Sequence, residues 1–369
     1  MGGTFHYLNP ATIHWGEGCL RQLAAELARA GVKRVFLITT ASIAQNPDLT
    51  FAIERAAAGA LAGRFSGIGQ HAPVRQVAQA AREVRAAGAD ALLSVGGGSP
   101  IDAAKAIAWS LASGIELAEP GALAKSRGVR LAGLPVLPHF AVPTTLSVAE
   151  LSGSAGFSAE GTGEKVGVAA SELVPAAVFY DAALALHTPL ELWLSTGIRA
   201  VDHAVETLLA AGEHPLPDAA ALDALTRLDK ELRAVKANPA DLAARTGCQL
   251  GAWLSYLLPS VAAGGLSHTL GKRLGSRHGI PHGVTSCLLL PQVMRYLAPR
   301  KAEALSRISR ALGADDAASA VQSLIAALGL PQHLAAYGLS DDDLHEAVKP
   351  LASKDAPAEA LFGLLKAAS

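Results

Sequence analysis

Short apolar runs alternate with amphipathic segments in the first half of the chain. The runs with the length and composition of buried strands fall at 34–38, 89–95, 136–142 and 174–180. The segments whose apolar residues recur at helical spacing fall at 18–30, 49–62, 74–87 and 100–113. Parallel strands need a long crossover connection, usually a helix, between them. The alternation therefore predicts an α/β fold in which helices cover both faces of a parallel sheet.

The pattern changes near Pro189, where strand-like runs give way to long segments rich in alanine and leucine. These segments have helical spacing and fall at 189–211, 217–235, 239–257, 282–297, 301–312, 316–328 and 340–350. Proline-containing breaks, such as the one at 214–218, separate them. We therefore predict two domains, an α/β domain over residues 1–185 and an all-helical domain over residues 186–369.

The charge of the chain is balanced, since 31 lysine and arginine residues accompany 32 aspartate and glutamate residues. Without a long-range positive field, this composition argues against nucleic-acid and membrane-surface partners. No apolar run has the length that spans a bilayer, and the first residues lack the pattern of a secretory signal. The three cysteines have no metal-binding spacing and are typical of core residues in a reducing compartment. We expect a cytoplasmic protein without a nucleic-acid or membrane partner.

A glycine-rich turn joins a predicted strand to a predicted helix. It consists of Gly96, Gly97, Gly98 and Ser99, and Pro100 follows it. Three glycines let backbone amides approach an anion without a Cβ in the way, and the start of a helix favours a phosphate. Ser99 is expected to cap the helix, with Pro100 at its first position. The alternative is an ordinary strand-to-helix turn with a well-formed cap, because the motif is neither GxGxxG nor a P-loop.

Hydroxyl residues follow two other predicted strands. Thr144 and Thr145 come after the run at 136–142, and they either bond a cofactor or simply end the strand. Thr40 follows the run at 34–38, where dinucleotide-binding folds read the adenosine ribose. An acidic residue there would repel the extra phosphate of NADPH, whereas a threonine does not. If the fold binds a dinucleotide, NADPH is therefore not electrostatically excluded and NADH is equally acceptable.

Three histidines of the helical half are candidate chemistry-bearing residues, namely His203, His268 and His282. Three converging imidazoles would form a site for zinc or iron(II). The alternative is a set of unrelated core and capping histidines, since no HxxxH or HxH pair is present. On a helix, Arg199 shares one face with His203.

Taken together, these motifs resemble those of the iron-containing, or group III, alcohol dehydrogenases, in that family's order over nearly the whole chain. The matching segments are the glycine turn with Asp102 and Lys105, Pro-Thr-Thr at 143–145, His-Ala-Val-Glu at 203–206, Ser267-His268 and Gly-Ile-Pro-His-Gly at 279–283. The resemblance implies a dinucleotide-binding α/β domain and a helical domain, the architecture shared with dehydroquinate synthase, with catalysis in the cleft between them. It also implies a homodimer, a cofactor-binding role for Asp102, and a metal held by an aspartate and three histidines.

The sequence departs from this family pattern at the metal site. The position of the aspartate ligand holds Arg199, and a further histidine position holds Lys272. A guanidinium cannot ligate a cation, and its charge opposes metal binding nearby. Asp202 is adjacent to His203, so on a helix it points about 100° away and is a poor substitute. We therefore expect no metal; if iron or zinc binds, the expected ligands are His203, His268 and His282.

Within the family, these departures are most similar to the maleylacetate reductase branch, whose members work without metal. The segments His71–Val74 and Ile38–Thr40, with Ser42, also resemble that branch. Its members reduce an unsaturated dicarboxylate with NADH or NADPH during the degradation of aromatic compounds. The resemblance therefore implies NAD(P)H-dependent hydride transfer to a small carbonyl or enone substrate that carries a carboxylate.

In this hypothesis Arg199 and Lys272 bind anionic oxygens of the substrate, and His203, His268 or His282 supplies the proton. Thr144, Thr145 and Lys165 are the candidate contacts on the nicotinamide side. Three alternatives stay open. They are a metal-dependent alcohol or aldehyde dehydrogenase of the same family, an NAD-recycling lyase of the dehydroquinate synthase type, and a non-catalytic nucleotide-binding protein.

Overall fold

The computed structural model describes residues 5–119, 121–126, 128–158, 165–212, 214–354 and 356–369. The chain divides into two compact units, one spanning Tyr7–Thr188 and the other containing Pro189–Ser369. The boundary predicted after residue 185 lies close to this division. The separate roles assigned to the two parts stay predictions.

The first unit is built on a parallel sheet. Its strands are β1 (Thr12–Trp15), β2 (Val35–Ile38), β3 (Leu61–Phe65), β4 (Ala91–Gly96), β5 (His139–Pro143) and β8 (Ala177–Tyr180), in the order β1-β8-β5-β4-β2-β3. Every pairing in this sheet is parallel. Two further strands, β6 (Ser154–Ser158) and β7 (Lys165–Ala169), pair antiparallel with each other. The helices are α1 (Leu23–Arg29), α2 (Ala41–Ala44), α3 (Pro47–Ala56), α4 (Val74–Ala86), α5 (Gly98–Ser113), α6 (Ala122–Ser126) and α7 (Ala182–Ala185).

Side chains of the central strands alternate between two hydrophobic cores, one on each face of the sheet. Phe36 and Leu92 pack into the core that contains residues of α4 and α5. Leu37 and Leu93 pack into the other core, with residues of α1 and α3. Successive residues of a strand point to opposite faces, so an apolar run predicts burial on both sides. The predicted α/β fold class is confirmed.

The order of the strands creates a topological switch beside β2. The chain runs from β2 outward to β3, and then returns to β4 on the other side of β2. The register pairs Ile38 with Ser94, so the carboxyl ends of β2 and β4 lie side by side. Open α/β sheets bind ligands outside the carboxyl ends of strands at such a point.

Part of the predicted helix at 49–62 is wrong. Helix α3 ends at Ala56, and residues 61–65 form the edge strand β3 instead. This strand contains Gly63, where an added Cβ would lie 2.7 Å from the ring of Phe36. The apolar alternation of β3 is weak because the edge strand is only partly buried, so pairing with β2 decides its structure. Strands β1, β6 and β7 were likewise not predicted.

The second unit is helical. Its helices are α8 (Leu190–Leu209), α9 (Pro215–Ala237), α10 (Leu242–Leu254), α11 (Pro259–Ala262), α12 (Leu266–His278), α13 (His282–Leu297), α14 (Ala302–Ala311), α15 (Ala317–Leu328), α16 (Asp341–Val348) and α17 (Ala358–Ala367). Across the residues that the structure describes, none of the helices has the length and apolar character needed to cross a membrane.

Helix α12 carries a candidate histidine, although the apolar pattern did not predict it. Its glycines lower helix propensity, which weakens the sequence signal. An added Cβ on Gly271 would lie 2.8 Å from Oγ1 of Thr285, and one on Gly275 would lie 2.8 Å from the carbonyl oxygen of Ile280. The glycines therefore permit a close packing of α12 against α13, which brings residues of the two helices together.

Candidate functional site

The glycine turn lies at the switch point of the sheet, between β4 and α5. Gly96 has φ of 142°, and an added Cβ would lie 2.8 Å from Cγ of Pro100. An added Cβ on Gly97 would lie 3.2 Å from Cγ2 of Thr145. Both positions therefore favour glycine, Gly96 by conformation and Gly97 by the closeness of its neighbour. The result is a compact backbone turn at the start of a long helix.

The predicted cap of α5 is wrong in its register. The helix begins at Gly98 with Gly97 as its N-cap, so Ser99 and Pro100 lie inside the first turn. Oγ of Ser99 instead accepts a hydrogen bond from the amide of His71 at 3.0 Å. The first-turn amides of a helix have no intrahelical acceptors, and here they lie next to glycines. This arrangement suits a phosphate group.

Two buried hydroxyl groups flank the turn. Oγ1 of Thr145 and Oγ of Ser147 have no hydrogen-bond partner among the residues that the structure describes. The amide of Thr144 donates to the carbonyl of Gly96 at 2.9 Å, which holds the segment after β5 against the turn. Buried hydroxyls are almost always hydrogen-bonded, so these two atoms suit a polar ligand or water. Thr144 and Thr145 therefore lie beside the glycine turn.

Other predicted cofactor residues have different surroundings. Oγ1 of Thr40 lies 3.0 Å from Oγ of Ser42 at the carboxyl end of β2, beside the switch point. Asp102 pairs with Nζ of Lys105 at 2.9 Å and accepts from the amide of Gly156 at 3.1 Å, so its carboxylate anchors β6 to α5. Lys165 begins β7, and its side chain lies outside the described residues.

In the helical unit, Arg199 is the centre of a buried polar cluster. Its NH1 group lies 3.3 Å from Oδ2 of Asp202 and 2.9 Å from Oγ of Ser286. Its NH2 group contacts Nδ1 of His268 and lies 3.1 Å from Nε2 of the same ring. The arginine is only 6% exposed. Helices α8, α12 and α13 each contribute side chains to this cluster.

Asp202 is the acidic partner of the arginine. Its Oδ2 atom also accepts from Oγ of Ser267 at 2.9 Å and from Oγ of Ser286 at 2.6 Å. Burial raises the pKa of Asp202, whereas Arg199 and the two hydroxyls oppose that shift. The three donors favour the ionised carboxylate, which is the form that pairs with the guanidinium.

The predicted histidines gather around this cluster. The rings of His203 and His268 lie 5.8 Å apart between centroids, and Tyr256 packs against His203 at 4.7 Å. Burial and the charge of Arg199 lower the pKa of His203 and of His268. Lys272 and His282 are close enough to contribute to the lowered pKa of His268. The structure therefore brings the five predicted residues of the helical unit into one neighbourhood.

Glu206 is a further buried acid of the site, which residue-level reasoning did not single out. Its Oε1 atom accepts from the amide of His268 at 3.1 Å and so fixes the first turn of α12. Burial and the nearby Asp202 raise its pKa well above the usual range. An added Cβ on Gly265 would lie 2.2 Å from Cδ of Glu206, so this approach requires glycine. Its position in the His-Ala-Val-Glu segment was the available signal.

The residues of the cluster do not fit a divalent metal ion. A guanidinium lies against both imidazole nitrogens of His268 and so occupies the position from which a metal would bind the one ring nitrogen that carries a lone pair. Within the described parts of the chain, no group of three or more histidine, cysteine, aspartate or glutamate side chains has an arrangement that could hold a metal. The acceptor atoms of the cluster are instead suited to binding the guanidinium group of Arg199.

Comparison with known proteins adds the family context. Residues 10–182 match the iron-containing alcohol dehydrogenases, and residues 193–362 match the C-terminal part of that family. A maleylacetate reductase of Sphingobium indicum is 30% identical over 338 residues, which cover 92% of this chain and 88% of that protein. A maleylacetate reductase of Burkholderia cepacia is 30% identical, over 89% of this chain and 85% of its own length.

Comparison with a solved structure agrees with these sequence matches. The crystal structure of maleylacetate reductase from Agrobacterium tumefaciens superposes with a TM-score of 0.82 at 28% sequence identity. The match covers 100% of this chain and 98% of the other. The likeness extends through both units of the fold.

Proposed function

The chain belongs to the iron-containing alcohol dehydrogenase family and is an oxidoreductase, and from this premise we propose that it reduces an unsaturated or carbonyl-containing carboxylate with NADH or NADPH. The observation that carries the proposal is the cluster of Arg199 with His268, which presents fixed positive charge instead of a metal site. Its similarity to maleylacetate reductases supports a substrate of the maleylacetate class.

The α/β unit is proposed to hold the dinucleotide. The first-turn amides of α5 and the turn Gly96–Gly98 would bind the pyrophosphate, and the buried hydroxyl of Thr145 would contact the cofactor. Thr40 would lie near the adenosine ribose, where it leaves room for NADPH as well as NADH. When bound, the cofactor supplies the hydride.

The helical unit is proposed to bind and polarise the substrate. Lys272 is exposed one helical turn after His268, so its ammonium can pair with a substrate carboxylate. Arg199 is buried and charged, so it stabilises negative charge that develops on the substrate oxygen or enolate. The two cations therefore have different tasks, one in binding and the other in the transition state.

One of the three histidines is proposed to deliver the proton that completes the reduction. His203 is only 2% exposed, whereas His268 and His282 are half-buried. Burial and the charge of Arg199, which contacts both ring nitrogens, lower the pKa of His268, so His282 is favoured as the group that gives the substrate its proton. The reaction then adds one hydride and one proton to the substrate, and its net result is a two-electron reduction.

The proposal is tested by NADH- and NADPH-linked turnover of the purified protein against maleylacetate and short aldehydes. Metal content is measured in the same preparation. We expect reduction of the carboxylate-bearing substrate that survives chelator treatment. Loss of activity with chelator and rescue by Fe²⁺ or Zn²⁺ would instead select a metal-dependent alcohol dehydrogenase. Turnover without net consumption of NADH would select a lyase, and binding of NADH without any turnover would select a non-catalytic protein.

A further inference from the structure

Asp202 receives three hydrogen-bond donors on a single oxygen atom. Oγ of Ser267 donates from α12, Oγ of Ser286 donates from α13, and NH1 of Arg199 approaches from the same helix as the aspartate. Ser286 also accepts from Arg199, so its one hydroxyl proton remains for the aspartate. The donor directions are consistent throughout, from guanidinium to serine to carboxylate.

This network fixes the orientation of a planar group. Asp202 and Ser286 hold the NH1 side of the guanidinium, and its NH2 side lies against the ring of His268. A guanidinium has a rigid fork of donors, so holding one arm also sets the direction of the other. A lysine in the same place would have no such fork. The geometry therefore depends on arginine rather than on positive charge alone.

We propose that Asp202, with Ser267 and Ser286, is a guanidinium-binding cradle that positions Arg199 against His268 for the reduction. In this proposal Asp202 and the two serines are positioning residues, and Arg199 and His268 are the groups that face the substrate. The cradle deepens the proposed function and rests on it for its catalytic meaning. The binding of a guanidinium group by the cradle can be measured without turnover.

The test removes the arginine side chain and supplies its head group from solution. Arg199→Ala is titrated with guanidinium chloride by calorimetry at millimolar concentrations, with urea as the neutral control of the same shape. We expect guanidinium to bind and urea not to bind, because the cradle presents a carboxylate. Guanidinium is also expected to restore part of the reductase activity of Arg199→Ala.

Variants of the cradle provide the matched comparison. In the Arg199→Ala background, Asp202→Asn is expected to weaken guanidinium binding about tenfold or more, since the acceptor loses its charge. Ser286→Ala is expected to weaken binding less, because it removes a neutral acceptor, and Ser267→Ala least, because Ser267 contacts only the aspartate in this network. Equal binding with and without the Asp202 carboxylate would overturn the proposal. Failure of a folded Arg199→Ala protein to bind guanidinium would do the same.

A second measurement decides the case if Arg199→Ala does not fold. Asp202→Asn in the otherwise unchanged chain is expected to lower kcat about 10- to 100-fold while the KM for NADH stays the same. An unchanged kcat would overturn the positioning role. If the unaltered protein reduces no carbonyl substrate, the proposed function fails, but the guanidinium titration still tests the cradle.

Discussion

The glycine turn and the arginine cluster are two candidate sites that use different chemical groups. The turn uses backbone amides and neutral hydroxyls, and its residues Gly96–Ser99 are consecutive in the chain. The cluster uses buried charged side chains from three helices, and its members extend from Arg199 to Ser286. The turn therefore depends on local conformation, whereas the cluster depends on tertiary packing. This difference predicts that substitutions in the turn act mainly on ligand affinity, and that substitutions in the cluster act on stability as well.

The largest effect is expected from breaking the buried ion pair. Arg199→Met leaves the Asp202 carboxylate buried without its cation, which costs about 3–5 kcal/mol of unfolding free energy. The double variant Arg199→Met with Asp202→Asn should recover much of this loss, because it removes both charges. Urea denaturation of Arg199→Met, Asp202→Asn and the double variant measures the coupling energy of the two residues as a double-mutant cycle. Additive losses would show that the two residues are not energetically coupled.

A pH-dependent effect of similar size is expected in the α/β unit. Burial raises the pKa of Glu150 to about 7 from the ordinary 4.5, while Tyr180, at 2.8 Å from its Oε1 atom, and Lys105 favour the ionised form and Asp102 opposes it. The folded protein therefore binds the proton more tightly than the unfolded chain. The resulting stabilisation, about 3 kcal/mol, is fully present below pH 4.5 and is lost as the pH rises through about 7.

Glu150→Gln is the matched control for this effect, since the amide keeps an acceptor for Tyr180 but does not titrate. We expect the unfolding free energy of the variant to change less than that of the unaltered protein between pH 4.5 and pH 7. Chemical denaturation across this range measures the difference. Parallel curves for the two proteins would contradict a titrating Glu150, and the α/β unit would then lack this dependence on a buried charge.

A smaller effect, confined to cofactor affinity, is expected at the turn. Gly96→Ala places a Cβ at φ of 142° and against Pro100, which costs about 1–3 kcal/mol at the proposed phosphate site and is expected to weaken NADH binding about 10- to 100-fold. Fluorescence titration with NADH measures the change. Gly114→Ala, at the other end of α5, is the control. Its φ of 72° also lies in the region that favours glycine, but no atom lies within 4 Å of the added Cβ. Equal NADH affinity in the two variants would contradict a role of the turn in cofactor binding.

The smallest effect is expected at the exposed cation. Lys272→Ala should raise KM for a dicarboxylate substrate about tenfold and leave kcat nearly unchanged, because an exposed ion pair contributes to binding only modestly. Lys272→Arg should restore much of the affinity. Steady-state kinetics with NADH in excess provides the measurement. A fall in kcat with constant KM would instead place Lys272 in the chemical step.

Sequence patterns were most informative where local and tertiary preferences agree. Helix α13 was predicted with the bounds found in the structure, and β4 overlaps the predicted apolar run at 89–95 in all but its last residue. The patterns failed where tertiary contacts override local preference. Helix α12 contains the glycines that close packing on α13 requires, and β3 is a weakly patterned edge strand.

Predictions for the candidate site also succeeded where residue type was informative and failed where tertiary packing decided the contact. Arg199, His203, His268, His282 and Lys272 were predicted from their motifs, and their residue types are sufficient to suggest cationic and acid–base chemistry. The i, i+3 spacing of Arg199 and Asp202 could have indicated their ion pair. Ser267 and Ser286 could not be assigned to Asp202 in this way, because their contact depends on how α8, α12 and α13 pack.

The sequence alone determined the central alternation of strands and helices, the glycine turn, the family resemblance and the replacement of an acidic metal-ligand position by Arg199. These features depend on residue identity and short-range periodicity, which the chain carries directly. Only the tertiary structure decided that the guanidinium is held by Asp202 and Ser286 and turned toward His268. Hydrogen-bond direction and burial arise when distant segments come together, so local sequence does not specify them.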